Sequence, residues 1–306
     1  MPKRFLSSLA CGYILMFYSE HMFWAHVRPN DNLLDYMATW IMYSILAVAF
    51  QLVVDYFRVK SIWALFLAGA VFGWLTEGIV VQTTYESLPF SISFTGLSWH
   101  ALISVWVGWY AVRKAIQSGV GATLKVATAI GIFYGLWAIY WWNEPNEIAA
   151  TPLAFALFAG MTTLLLIVSY MIYDRNMTTF TGGRKLPIII GVILLLYFVL
   201  IAIPTVPIAA VVLPPLLLIV YVVLRRNRRL EAQDGSLMTL TEAPPLKNYL
   251  AVLAIPIIAV MIYSVAFSQG WQWYTNWVVY LITMPLGFLL FGISILKVWR
   301  RKPVVH

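Results

Sequence analysis

Cysteine is nearly missing from this chain of 306 residues. Cys11 is the single one, so no intramolecular disulfide and no cysteine-based metal cluster can form. Charge is scarce too. Asp, Glu, Lys and Arg make up 10% of the residues, against about 25% in ordinary soluble domains. So few charges could not clothe a soluble surface of this length. With 62% hydrophobic residues, lipid must be the solvent for most of the molecule. Also lacking are an HExxH metalloprotease motif and a nucleophile elbow. No soluble basic segment exists to read nucleic acid. The net charge of +8 comes from bases placed in short connections between apolar runs, which is the positive-inside distribution of a membrane protein.

What is present is a series of apolar runs at about 5–27, 36–57, 61–82, 96–113, 123–142, 151–173, 186–203, 207–224, 248–268 and 276–298. Each is near the 17–25 residues or so that cross a hydrocarbon core, and runs this apolar satisfy their backbone only as helices. The chain therefore reads as an all-α integral membrane protein, a polytopic bundle of about ten transmembrane helices in the cell (cytoplasmic) membrane. The start, Met-Pro-Lys-Arg before an apolar stretch, mimics a signal peptide. No small-residue cleavage site precedes Glu20-His21, so it reads as a retained first span.

The charges supply an independent test. With Lys3 and Arg4 inside, ten crossings place 19 of the 20 Lys and Arg on the cytoplasmic side, leaving only Arg28 outside. Seven of the 12 acids, Glu20, Asp31, Asp35, Glu77, Glu86, Glu144 and Glu147, fall on the outer side. Both termini are then cytoplasmic. The alternation requires a tight outer turn at Ile203-Pro204-Thr205-Val206-Pro207, without which the basic residues 225–229 would land outside. The connection at about 225–247, with Glu231 and Asp234, is too short for a domain. The chain reads as one membrane domain, 1–306. Its first five spans, 1–148, carry the polar residues of the outer side, and the second five, 149–306, carry prolines 204, 207, 214, 215, 256 and 285.

Ionisable side chains inside a bilayer cost several kcal/mol unless paired or solvated. Asp55 beside Arg58 and Asp174 beside Arg175 have neighbours at headgroup level. Glu20, His21, Glu77 and His100 do not, and three separate spans bring them to a similar depth one or two turns below the outer surface. Gly69, Gly73 and Glu77 are four apart on one stripe, so a close helix contact there turns Glu77 into the bundle. Gly131 and Gly135, and Ala156 and Gly160, repeat that spacing. The outer connection between Glu77 and His100 contains Glu86. Its alternating stretch Phe90–Thr95 reads as an extended segment able to fold over the site. Tryptophans 24, 40, 74, 99, 141, 142, 271, 273 and 277 near the outer ends read as an interfacial belt.

Three functions fit. One is a small-molecule transporter using Glu77 and His100, with Glu20, His21 and Glu86, for substrate or proton coupling. A second is a membrane-embedded enzyme on a lipid or isoprenoid, with a metal held by His21, Glu77 and His100. A third is an accessory subunit of a larger membrane complex, with the Glu/His pair as internal glue. The residues leave the cofactor unknown. The partners are the bilayer and, open at this point, a second copy or other membrane subunits; nucleic acid is excluded. About 300 residues, ten spans and two cytoplasmic ends match the outline of the drug/metabolite transporter superfamily, without its signature residues. Transport is the leading expectation.

Overall fold

The computed structural model describes residues 2–28, 31–143, 149–176, 183, 185–230, 237 and 243–301. Expectations about Glu144, Glu147, Arg184, Glu231, Asp234 and Lys302 lie outside them, as does the side chain of Trp142. Among these residues the chain forms ten helical rods and no strand. We number them α1 (2–24), α2 (Leu33–Tyr56), α3 (Ile62–Val80), α4 (92–118), α5 (Val120–Ala138, extended by a 3-10 turn to Asn143), α6 (Pro152–Asn176), α7 (Lys185–Thr205), α8 (Ala209–Leu230), α9 (Leu246–Gln269) and α10 (Thr275–Trp299). Eight of them, all but α1 and α4, are long and apolar enough to cross a membrane. The all-α membrane-type fold is thus as expected. The hairpin between α7 and α8 turns at residues 206–208, which overlap the predicted 203–207 turn and include Pro207.

The centre is made by α1, α3 and α4, with α2, α6 and α10 packed against them and α5 held mainly by α9. Small residues set the approach. Gly69 lies against Ala101 and Val105, and Gly73 against Gly96 and His100, so α3 and α4 run antiparallel along the predicted stripe. A Cβ on Gly73 would collide with the Gly96 carbonyl oxygen and sit 2.9 Å from His100 Cβ. Both obstacles are held by helical backbone, so neither can swing aside. Gly73→Ala is expected to lower stability by about 1–3 kcal/mol, the range for an overfilled core, with Gly292→Ala, which meets nothing within 4 Å, as the neutral control. Thermal unfolding in detergent checks both. Gly131 and Gly135 pack in the same way on Ile255 and Ala259 of α9, whereas Gly160 meets no neighbour.

Two expectations fail here. The tryptophans do not all form a belt. Trp74, Trp99 and Trp141 are buried, and their indole N–H groups donate to the carbonyls of Ile92, Tyr18 and Phe23 at 3.0, 3.0 and 3.1 Å. Only rings such as Trp273 and Trp277 are exposed as an interface would hold them. The Phe90–Thr95 stretch is not extended: after a 3-10 turn at Thr83–Tyr85, helix begins at Phe90. Internal ties explain it. Tyr85 donates to the Gly78 carbonyl (2.7 Å) and Ser91 to the Thr84 carbonyl (2.7 Å), so the connection folds on itself. Burial pushes the Tyr85 hydroxyl up to about 12, so it remains a neutral donor at any ordinary pH.

Candidate functional site

The site forms where three helices depart from α geometry together. Phe17–His21 in α1, Thr76–Val80 in α3 and Ile92–Val112 in α4 take the wider i→i+5 winding of a π-helix. Such segments are rare and often mark functional positions. These three carry Ser19, Glu20 and His21, then Glu77, then His100 and Ser104. The changed winding alters which residues share a face, which is why hydrophobic periodicity alone could not place them.

His100 Nε2 lies 2.6 Å from Glu77 Oε1, with both side chains nearly buried. The Thr83 hydroxyl donates to the other carboxylate oxygen of Glu77. Behind the imidazole, Nδ1 is 2.9 Å from Ser19 Oγ, Ser19 is 2.8 Å from Ser104 Oγ, and Ser104 donates to the Trp99 carbonyl at 3.1 Å. Each hydroxyl has one hydrogen. We adopt the assignment in which all three contacts are hydrogen bonds: Ser104 donates to Trp99, Ser19 to Ser104, and His100 Nδ1–H to Ser19. One proton is left to bridge Nε2 and Glu77, whichever of the two atoms carries it. The backing hydroxyls thus hold His100 so that one mobile proton lies between base and carboxylate.

A chamber of about 110 Å³ opens onto this pair, with Glu77, His100, Ser19 and Glu20 in its wall. Glu20 is fixed by donors from two sides, the Tyr43 hydroxyl of α2 at 2.6 Å and the Trp24 indole at 3.1 Å. Phe23, Thr83 and Thr95 also line a larger vestibule of about 460 Å³, which makes the two spaces neighbours. Glu86 lies in the vestibule and not in the chamber. Asn276, Trp277 and Tyr280 of α10 close the far wall of the vestibule, so the second half of the chain contributes to a site that its lack of charge had assigned to the first.

His21 does not join Glu77 and His100. Its ring is packed among Tyr13, Phe17, Tyr36 and Phe158, with centroids 5.7 to 6.3 Å away. Among the described residues no three His, Cys, Asp or Glu converge on a metal position, so the expected His21–Glu77–His100 ligand set does not assemble. His21 faces a narrow cleft shared with Glu20 and Asp31. There Arg28 Nε donates to both Asp31 oxygens at 3.1 Å and Tyr36 donates at 3.1 Å. Partial burial works against the Asp31 charge, but Arg28 prevails and holds that carboxyl below its usual range.

A second ionic cluster lies at the opposite ends of these helices. Asp174 pairs with Arg113 of α4 at 2.8 Å and accepts from the Tyr249 hydroxyl of α9 at 3.0 Å, with both charged groups buried. This corrects the expected surface pairing of Asp174 with Arg175. The partner is 61 residues away in sequence, and no local spacing could have shown it. Ser19, Thr83, Tyr43 and Ser104 were missed for a similar reason: a hydroxyl in an apolar helix is common, and only the fold shows which ones meet. Comparison with protein-family models, curated proteins and solved structures finds no match to this chain.

Proposed function

We propose that this multi-pass membrane protein is a proton-coupled small-molecule transporter whose substrate site is the chamber beside Glu77 and His100. The observation that carries the reading is the 2.6 Å contact of Glu77 with His100, close enough to share a proton, on the wall of a cavity that continues into a vestibule. A coupled carrier needs a proton site that its substrate can sense, and direct contact with the cavity supplies one. We place ten crossings, with α1 and α4 included, both ends cytoplasmic and the vestibule opening outward. Two observations support that topology: the segregation of bases, and the meeting of Arg113, Asp174 and Tyr249 at the end opposite the chamber. In this arrangement the first five spans supply the coupling groups, and α10 of the second five supplies part of the vestibule.

A membrane-embedded hydrolase is the second reading, favoured by the in-line arrangement of Ser19, His100 and Glu77. The proton count weighs against it. A nucleophilic serine donates to its base, whereas in the adopted assignment Ser19 accepts from His100. The side-chain donors that line the chamber are also occupied, Trp24 on Glu20, Thr83 on Glu77 and Thr95 on Ser91, so none is free to hold an oxyanion. Two assays on the purified full-length chain separate the readings. In proteoliposomes with a pH-sensitive dye inside, a panel of small amines, acids and neutral solutes is expected to include one that moves protons only when the protein is present. A fluorophosphonate probe is expected to leave Ser19 unlabelled. Ser19 labelling that is lost in His100→Ala, with no solute moving protons, would replace the transporter by the hydrolase.

A further inference from the structure

Resting on the transporter reading, we infer that the substrate is a small organic cation, an ammonium ion, exchanged for the proton that Glu77 and His100 share. Three independent features converge on this class. The first is the sign of the path. Among the described residues Glu86 is the one charged residue lining the vestibule, and Glu20 and Glu77 are the charged residues of the chamber beside the imidazole. No Lys or Arg among them lines either space. From mouth to floor three acidic side chains outnumber the one imidazole, which favours cations over anions.

The second is what proton loss leaves behind. His100 Nδ1–H is committed to Ser19, so removing the bridging proton turns the bare Nε2 lone pair toward a carboxylate 2.6 Å away. Two acceptors cannot face each other at that distance without a positive group nearby. The other groups packed around the pair offer none. Thr83 donates to the far oxygen of Glu77, the Phe72 ring meets the imidazole edge-on at 5.5 Å, and Glu20 with Tyr43 adds a further acidic group. An incoming cation supplies the missing charge. The exchange balances: one cation enters, one proton leaves to the water of the vestibule, and the charge of the site is unchanged.

The third is the lining. The vestibule wall carries the rings of Phe23, Phe94, Trp137, Tyr140, Trp277 and Tyr280. Aromatic faces attract alkylammonium groups and offer little to a carboxylate. The same bundle already uses such a contact, with the Arg28 guanidinium 4.3 Å over the Trp24 ring. A bare metal ion fits less well, since no three ligating residues converge among those described.

The test uses three probes that share a branched trimethyl group and differ in charge: tetramethylammonium, tert-butanol and pivalate. Binding to the purified protein is read by calorimetry, and proton release in weakly buffered detergent solution by a pH dye. Tetramethylammonium is expected to bind at least about tenfold more tightly than the other two, which corresponds to about 1.4 kcal/mol, and to release close to one proton per cation bound. Glu77→Gln is expected to abolish the release. Glu86→Gln, at an exposed wall position, is expected to weaken binding severalfold without touching the pair. Equal binding of all three probes, or tight binding of tetramethylammonium with no proton released, overturns the inference. The two levels of the argument fail separately. If tetramethylammonium binds and releases a proton in detergent but does not cross proteoliposomes, the cation site stands and transport falls. If a neutral or anionic solute crosses in exchange for protons while tetramethylammonium does not bind, transport stands and the cation class falls.

Discussion

Glu77→Gln is expected to leave a folded protein that no longer exchanges a proton, while Glu77→Ala loses the proton and much of its stability. The difference follows from what each side chain leaves behind. A carboxamide keeps the shape of Glu77, can accept from Thr83 through its oxygen and can donate an N–H to His100 Nε2, so the loss is of the order of one hydrogen bond, about 0.5–1.5 kcal/mol. Alanine leaves the imidazole and Thr83 without their partner inside the bundle, and breaking one side of a buried pair costs about 3–5 kcal/mol. Proton release on ligand binding vanishes in both, because neither has the carboxylate that shares the proton. Unfolding measured in detergent, beside proton release, checks the split. If Gln unfolds the protein as badly as Ala, the pair is structural glue and the functional assignment fails. If Gln retains full proton release, the bridging proton lies elsewhere.

The sequence showed part of this site because depth and facing leave separate traces. Charged loops set the ends of the spans, which fixed Glu77 and His100 at a common depth. The stripe Gly69, Gly73, Glu77 fixed the facing of one of them, and its glycines do meet α4. His21 shows the limit: it shares that depth, but α1 turns it into a cage of aromatic rings. Nothing in α1 sets the rotation, since apolar residues surround it on every side and the π turn at Phe17–His21 shifts the register. The tryptophans failed similarly. An indole near a span end suits an interface, yet Trp74 and Trp99 find carbonyls to bond inside the bundle, and burial with a satisfied N–H overrides location. Asp174 was misread because the adjacent Arg175 gave a local explanation that was sufficient on its own terms.

Asp174→Ala is expected to be among the most destabilising single changes in the chain, at about 3–5 kcal/mol, because it removes the carboxylate that pairs with Arg113 at 2% exposure. Stacking cannot compensate. The Arg113 guanidinium lies 4.5 Å from the Tyr173 ring and 5.2 Å from the Trp109 ring, but such contacts contribute only about 0.5–2 kcal/mol. The double variant Arg113→Met/Asp174→Leu removes both charges at similar volume and should recover most of the loss, since well-packed apolar pairs often match or exceed buried ion pairs. Tyr249 then loses its acceptor, which sets the remaining deficit at about 1–3 kcal/mol. A double-mutant cycle on unfolding free energies gives the coupling directly. If the double variant is as unstable as Asp174→Ala, cavity formation and not the broken ion pair governs the site. The cycle also tests how independent the two polar clusters are. The hydroxyls of Tyr18 and Tyr170, 3.1 Å apart, lie between them, with Tyr170 donating to the Gly108 carbonyl. Tyr170 spends its one hydrogen on that carbonyl, so the bond from Tyr18 ends there and does not run on to Asp174. The double variant should therefore release its proton at the chamber end as the unaltered protein does. Loss of that release would mean that the two ends are coupled through helix position, with the Arg113–Asp174–Tyr249 tie holding the end opposite the vestibule closed.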